Sequence, residues 1–196
     1  MFSFGSKLLI SGLLNSFFNN LYTIVIGKLY KKEELGFYTK ATQLQQLPSE
    51  TIVVILQRIM LPILSNIKDE KLKLSLAYQK IITLCSFVTF PLMVGLAVIA
   101  QPLIYTLLGV KWLNIVDYFQ MLCIIGLLHP IHAINLNVLK VVGRTDLFLR
   151  LEVIKKIIIV VVLLSTYRFG MKTLICGQVI TSILALYINS WHSKRL

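Results

Sequence analysis

The chain has 196 residues, of which 57% are hydrophobic and 14% charged, with a mean hydropathy of +0.80. These values exclude a water-soluble fold, and the length holds about six membrane spans of roughly 20 residues each, with no room for a soluble domain beside them. The 20 Lys and Arg against 8 Asp and Glu give a net charge of +12, an excess that in a membrane protein sits in cytoplasmic loops, at headgroups or along an anion path and argues against a nucleic-acid partner.

The first predicted helix covers residues 6–28. Its apolar run continues past Asn15 to Ile26 without a small-residue cleavage site, so it reads as a retained span rather than a signal peptide. Within "NSFFNNLY" it carries amides: Ser11, Asn15, Asn19 and Tyr22 fall within an arc of roughly 80° at about 100° per residue, with Asn20 outside it. The segment "KLYKKEELGFYTKA" combines Lys28, Lys31, Lys32, Glu33, Glu34 and Gly36 and reads as a loop at the headgroup level.

The second predicted helix, 41–66, places Gln43, Gln46, Glu50 and Gln57 within roughly 60°, with Arg58 beside them. Glu50 is the carboxylate set clearly inside a span, close to Pro48, which frees a backbone carbonyl; it is a candidate protonation site for ion coupling or the partner of an ion pair. After the break "SNIKDEKLK", the third helix, 74–100, carries a weaker stripe of Gln79, Thr83 and Ser86, plus Lys80 near one end. "QPLIYTLLGVKWLN" is too apolar for a free loop and has Tyr105 and Trp112 where an interface places aromatics, so it is expected to lie along the membrane surface.

The fourth helix, 115–139, contains "HPIH". His129 and His132 stand one turn apart without an evident third ligand, which favours packed or interfacial imidazoles over a metal site. The fifth and sixth helices, 147–167 and 172–191, are separated by "YRFGMK". Pro62, Pro91 and Pro130 lie inside three different spans and can bend them. Cys85, Cys123 and Cys176 fall in apolar runs with no CxxC pair, so neither a disulfide framework nor a zinc site is expected.

An even number of helices puts both termini on one side. Eleven cations, including Lys68, Lys71, Lys73, Arg144, Arg150, Lys155 and Lys156, gather on the side of the termini against seven on the other, which points to cytoplasmic termini. The amides inside the spans have two readings: hydrogen bonds that hold helices together, or a wet surface. Four polar residues in a row on one helix favour the wet surface.

Residues 4–50, and above all the progression IGK, LGFYTKA and LPSE, resemble the opening of the second half of oligosaccharide-lipid flippases, members of the multidrug/oligosaccharidyl-lipid/polysaccharide exporter superfamily. The order of later segments fits through Leu196. The resemblance implies an all-α membrane bundle equivalent to helices seven to twelve, one lobe of a two-lobed transporter, with residues 1–196 forming that lobe and a first six-helix lobe, in the same longer chain or a separate one, as its partner. It implies a polyprenyl-diphosphate-linked oligosaccharide as cargo, carried across the bacterial inner membrane for O-antigen or capsule.

Asn15, Asn19, Gln43 and Gln46 would then meet water and sugar hydroxyls, while Arg58 and Lys80, with Arg144 or Lys140 at the mouth, would meet the diphosphate. The plainer alternatives are an ion pair or headgroup contact for Arg58 and snorkelling for Lys80. A multidrug-type exporter lobe and a non-transporting membrane fragment or scaffold are the competing functions. No nucleophile, metal cluster or Gly-rich phosphate loop stands out in the sequence, which argues against an enzyme and against a bound cofactor.

Overall fold

The computed structural model describes residues 17–18, 20–67, 69–143 and 145–193. The elements run α1 (Leu21–Leu29), α2 (Lys32–Asn66), α3 (Lys71–Val98), α4 (Ala100–Leu108), a 3₁₀ turn (Val110–Ile115), α5 (Val116–Val141), α6 (Thr145–Thr166), a second 3₁₀ turn (Tyr167–Phe169) and α7 (Met171–Ser193). The described residues are all-helical, as expected. Four stretches, Lys32–Asn66, Lys71–Val98, Val110–Leu139 and Met171–Ser190, are long and apolar enough to cross a membrane. Helix α6 is long enough too, but Arg150, Glu152, Lys155 and Lys156 crowd its first half.

One boundary differs from expectation for a local reason. The predicted loop across residues 28–41 shrinks to Tyr30 and Lys31, because α2 already starts at Lys32. Glu33 and Glu34 occupy its first turn, where carboxylates complement the positive end of the helix dipole, so charges that resemble a loop act as a helix start. At 35 residues, α2 is about 52 Å long and so exceeds the roughly 30 Å apolar core of a bilayer. The segment expected along the membrane surface lies between the third and fourth predicted helices, as read from the sequence. It forms α4 and a 3₁₀ turn hinged at Gly109, whose φ of 86° suits glycine. Ala100, Ile104 and Ile115 point into the core, while Tyr105, Leu107 and Val110 are exposed.

Helix α5 is the axle of the bundle, packed against α2, α3 and α7, while α6 leans mainly on α7. Two glycines permit the closest approaches. A Cβ on Gly126 of α5 would stand 2.2 Å from Gln45 Nε2 of α2, and one on Gly177 of α7 would stand 2.9 Å from Val162 Cγ1 of α6. Apolar side chains gather in two clusters along the axle. One, toward the Val116 end of α5, holds Tyr22, Ile26, Ile104, Ile115, Phe119 and Leu122; the other, toward Val141, holds Met60, Leu64, Leu74, Cys85, Ile134 and Val138. Polar side chains line the axle between and beside these clusters, and the site is built there.

Candidate functional site

On the side of α5 that faces α3 and α7, polar side chains hydrogen-bond to one another across the helices. Tyr78 Oη of α3 donates to Asn135 Oδ1 at 2.5 Å, and Asn135 Nδ2 donates to Ser190 Oγ of α7 at 3.3 Å. His132 bridges the same helices: Asn189 Nδ2 approaches its Nδ1 at 3.2 Å and its Nε2 lies 3.2 Å from the Ser182 carbonyl. These partners suit a neutral ring with its proton on Nε2, donating to Ser182 and accepting from Asn189. Both ring nitrogens are thereby engaged. Asn135 and Asn189 are each 1% exposed, so these are hydrogen bonds made in a dry interior, which hold membrane helices together.

Turning round α5 by about 60° from His132 brings His129 into view, and with it a different environment. A cleft of about 480 Å³ opens between α2, α5 and α6, with Phe18 at its edge. Its walls carry Glu50 and Gln57 from α2, His129 and Asn137 from α5, and Glu152, Lys155 and Lys156 from α6. His129 Nε2 stands 3.8 Å from Glu50 Oε1, and these two side chains are 41% and 53% exposed. Lys155 pairs with Glu152 one turn before it, both largely buried, while the Lys156 ammonium sits 5.0 Å over the Phe18 ring.

The depth of this cleft follows from helix rise. His129 lies about 20 Å from the start of α5, and Lys155 about 15 Å from the start of α6, which runs the opposite way, so both are near mid-height of the bundle. Charges at that depth are costly in lipid and are kept where water or a ligand reaches them. The cleft can therefore attract an anion through its ammonium groups, offer amides to hydroxyls, and exchange protons through a carboxylate and an imidazole.

The sequence-derived candidates distribute unevenly. Gln43, Gln46 and Glu50 line one open groove along α2 together with Leu47, Thr51 and Val54. Glu50 and Gln46 also border a small inner pocket that reaches His129 and Gln178. Glu50 thus connects all three spaces. Arg58 and Lys80 are exposed on α2 and α3 and are not among the residues lining these spaces. Asn15, Asn19 and Arg144 lie outside the described residues, as does the side chain of Lys140.

Lys155 and Lys156 are the residues sequence reasoning missed. Counted among the cations of the cytoplasmic side, they stand instead in the middle of α6 and face the cleft, which takes two of the eleven cations out of the orientation argument. A signal existed: Glu152, Lys155 and Lys156 share an arc of roughly 100° on α6, the same test that singled out the stripe on α2. The Val116 end of the bundle is tied more conventionally, by Tyr118 Oη donating to Glu34 Oε2 at 2.7 Å, Tyr30 Oη donating to the Tyr167 carbonyl at 2.5 Å, and Lys172 paired with Asp117 at 2.5 Å. Burial there pushes the Tyr30 hydroxyl above its ordinary pKa, with the Glu34 charge adding to the effect.

Comparison with known proteins shows which sequences this chain is similar to. Residues 1–117 match a family described as "Polysaccharide biosynthesis protein". The chain is 30% identical over 193 residues to an uncharacterized membrane protein in the cps region of Klebsiella pneumoniae, covering 95% of this chain and 39% of that protein. It is 34% identical over 146 residues to the teichuronic acid biosynthesis protein TuaB of Bacillus subtilis (74% and 30%), and 24% identical over 190 residues to the lipopolysaccharide biosynthesis protein WzxC of Escherichia coli (94% and 39%). The chain spans less than half the length of these curated relatives. No solved structure matches it.

Proposed function

This chain belongs to the polysaccharide biosynthesis protein family, and from that premise we propose that it is part of a flippase carrying polyprenyl-diphosphate-linked oligosaccharide across the bacterial inner membrane for surface polysaccharide. In this reading residues 1–196 form one lobe of six transmembrane helices, with both termini in the cytoplasm and a second six-helix lobe completing the transporter. Its work is transport rather than catalysis.

The observation that carries the reading is the charged cleft at mid-height, bounded by Glu50, His129, Lys155 and Lys156. A lipid-linked sugar diphosphate needs three environments at once. Its diphosphate needs cations in partly desolvated space, where their attraction exceeds that in bulk water. Its glycan needs groups that donate and accept hydrogen bonds, and its tail needs lipid within reach. Lys155 and Lys156 serve the first need, with Arg58 and Lys80 as further cations along the path. Gln43 and Gln46, with Asn15 and Asn19 ahead of α1 in the sequence, serve the second. The exposed apolar faces of α2 and α3, with Ile55, Ile59, Phe87 and Val88, leave the third to the bilayer. Glu50 is the ion-coupling group.

The test is complementation. Residues 1–196 are expressed with and without a six-helix first half in a strain lacking its own flippase, and surface polysaccharide is measured per folded protein in the membrane. Restoration only by the two halves together is the expected outcome. Full restoration by residues 1–196 as a monomer rejects the two-lobed reading, and no restoration by the folded pair rejects the assigned cargo.

A further inference from the structure

The cleft's ionisable groups nearly cancel. Glu50 and Glu152 bring carboxylates, Lys155 and Lys156 bring ammonium groups, and His129 and His132 bring imidazoles. The His132 ring is committed to Asn189 and Ser182, and a second ring proton would point at the Asn189 amide. His129 is differently placed: its Nε2 faces Glu50 at 3.8 Å, and its Nδ1 is buried without a hydrogen-bond partner in this arrangement.

In formal charge, with the imidazoles counted as neutral, the two lysines offset the two carboxylates. A phosphate or diphosphate entering beside Lys155 and Lys156 brings two or more negative charges to mid-height of the bundle. That excess is costly away from bulk water, and a proton taken up nearby reduces it. The groups facing His129 are few. They are Glu50 and Gln57 from α2, the Glu152, Lys155 and Lys156 set from α6, His132 from its own helix and Gln178 from α7. Phe18 closes the edge ahead of α1, and α3 turns Cys85 into an apolar cluster with Ile134 and Val138. Glu152 is already paired with Lys155. The Glu50 and His129 pair, on the walls across from the lysines, is left to receive the proton.

We propose that this cleft binds a phosphate- or diphosphate-bearing lipid together with one proton, held between the Glu50 carboxylate and the His129 ring. The proposal rests on the function given above and adds its coupling. The proton comes from solvent and adds to a lone pair of His129 Nε2 or of the carboxylate; no covalent bond to the ligand forms or breaks. Binding and protonation are reciprocal, so ligand draws in the proton and acid tightens the ligand.

The experiment uses the full chain in nanodiscs of zwitterionic phospholipid with farnesyl diphosphate as the probe. Calorimetry at one pH in two buffers of different ionisation enthalpy reads the protons taken up per ligand. The expected result is about one, with Kd weakening up to about tenfold for each pH unit above neutrality. In the Glu50→Gln, His129→Gln double variant, uptake drops to near zero and the pH slope flattens. Binding of farnesyl diphosphate to the wild-type chain without proton uptake overturns the coupling and leaves the flippase reading standing; so does uptake undiminished in the double variant. No binding of the probe overturns the proposal, while the flippase reading, which needs both lobes, stands or falls by the complementation test. Inorganic diphosphate and phosphatidylglycerol identify the source of the phosphate group, and if either binds as tightly as the isoprenyl diphosphate, the assigned lipid is wrong.

Discussion

Two sides of α5 use the same kinds of side chain for opposite ends. Toward α3 and α7, Asn135 and Asn189, each 1% exposed, are joined to Tyr78, Ser190 and the half-buried His132 by contacts of 2.5 to 3.3 Å. Toward α2 and α6, His129 and Glu50 stand 3.8 Å apart and remain about half exposed. In a medium with no water to compete, polar groups whose partners are complete act as structural fasteners. Polar groups left apart keep a space wet and keep hydrogen-bonding capacity for something else. The difference teaches that polarity alone does not mark a binding site in a membrane helix; the partners do.

The largest effect is expected at the cleft lysines, which serve as fasteners only if their loss leaves export unchanged. In the complete transporter, Lys156→Ala is expected to lower export tenfold or more at equal folded protein, since losing one partly desolvated phosphate contact costs about 1.5–3 kcal/mol. Arg58→Ala set beside it sharpens the assignment. A larger loss with Arg58→Ala, rescued in part by Arg58→Lys, moves the diphosphate from the cleft to the exposed face of α2, and normal export with Lys156→Ala removes the cleft from the pathway.

The dry side predicts the reverse pattern. Asn135→Leu leaves the Tyr78 hydroxyl without its acceptor and Ser190 without its donor, and should cost about 1–2 kcal/mol of stability. Thermal unfolding in detergent should occur at lower temperature, while export per folded molecule stays near wild type. A variant of normal stability with impaired export would make Asn135 a ligand contact.

Gly177→Ala tests the seam that carries α6, and with it the lysines, against α7. Its new Cβ meets Val162 Cγ1 at 2.9 Å and Thr166 Cγ2 at 3.0 Å, and a cost of about 1 kcal/mol is expected from the shift these stiff β-branched neighbours must make. Unchanged stability would show that the seam yields easily. The smallest effect belongs to Glu70→Ala. Its ion pair with Lys73 at 2.7 Å is more than half exposed, so less than about 0.5 kcal/mol should be lost and export should be unaffected.

Much of the helix order was legible, because long apolar runs separated by charge clusters leave few ways to divide the chain. The early start of α2 was not, because Lys32, Glu33 and Glu34 serve equally in a headgroup loop and in a first helical turn. Glu50 was found as a charge set inside a span. The HPIH spacing reads His129 and His132 alike as packed or interfacial imidazoles, whereas the structure sends the two rings in different directions, one to the Glu50 carboxylate and one to Asn189 and Ser182.

By itself, then, the sequence determined the solvent, the helical class, and which residues share a face of each helix, since composition and a period of 3.6 residues need no knowledge of neighbours. Tertiary structure alone decided which faces meet. Lipid tails are as apolar as Leu, so hydrophobic patterning does not fix how a membrane helix is rotated against the next; close packing at glycines and completed hydrogen bonds do. Gly126 seating Gln45, Gly177 seating Val162, and Asn135 joined to Tyr78 and Ser190 set that rotation. The same rotation turns Lys155 and Lys156 toward Glu50 and His129 across one cleft.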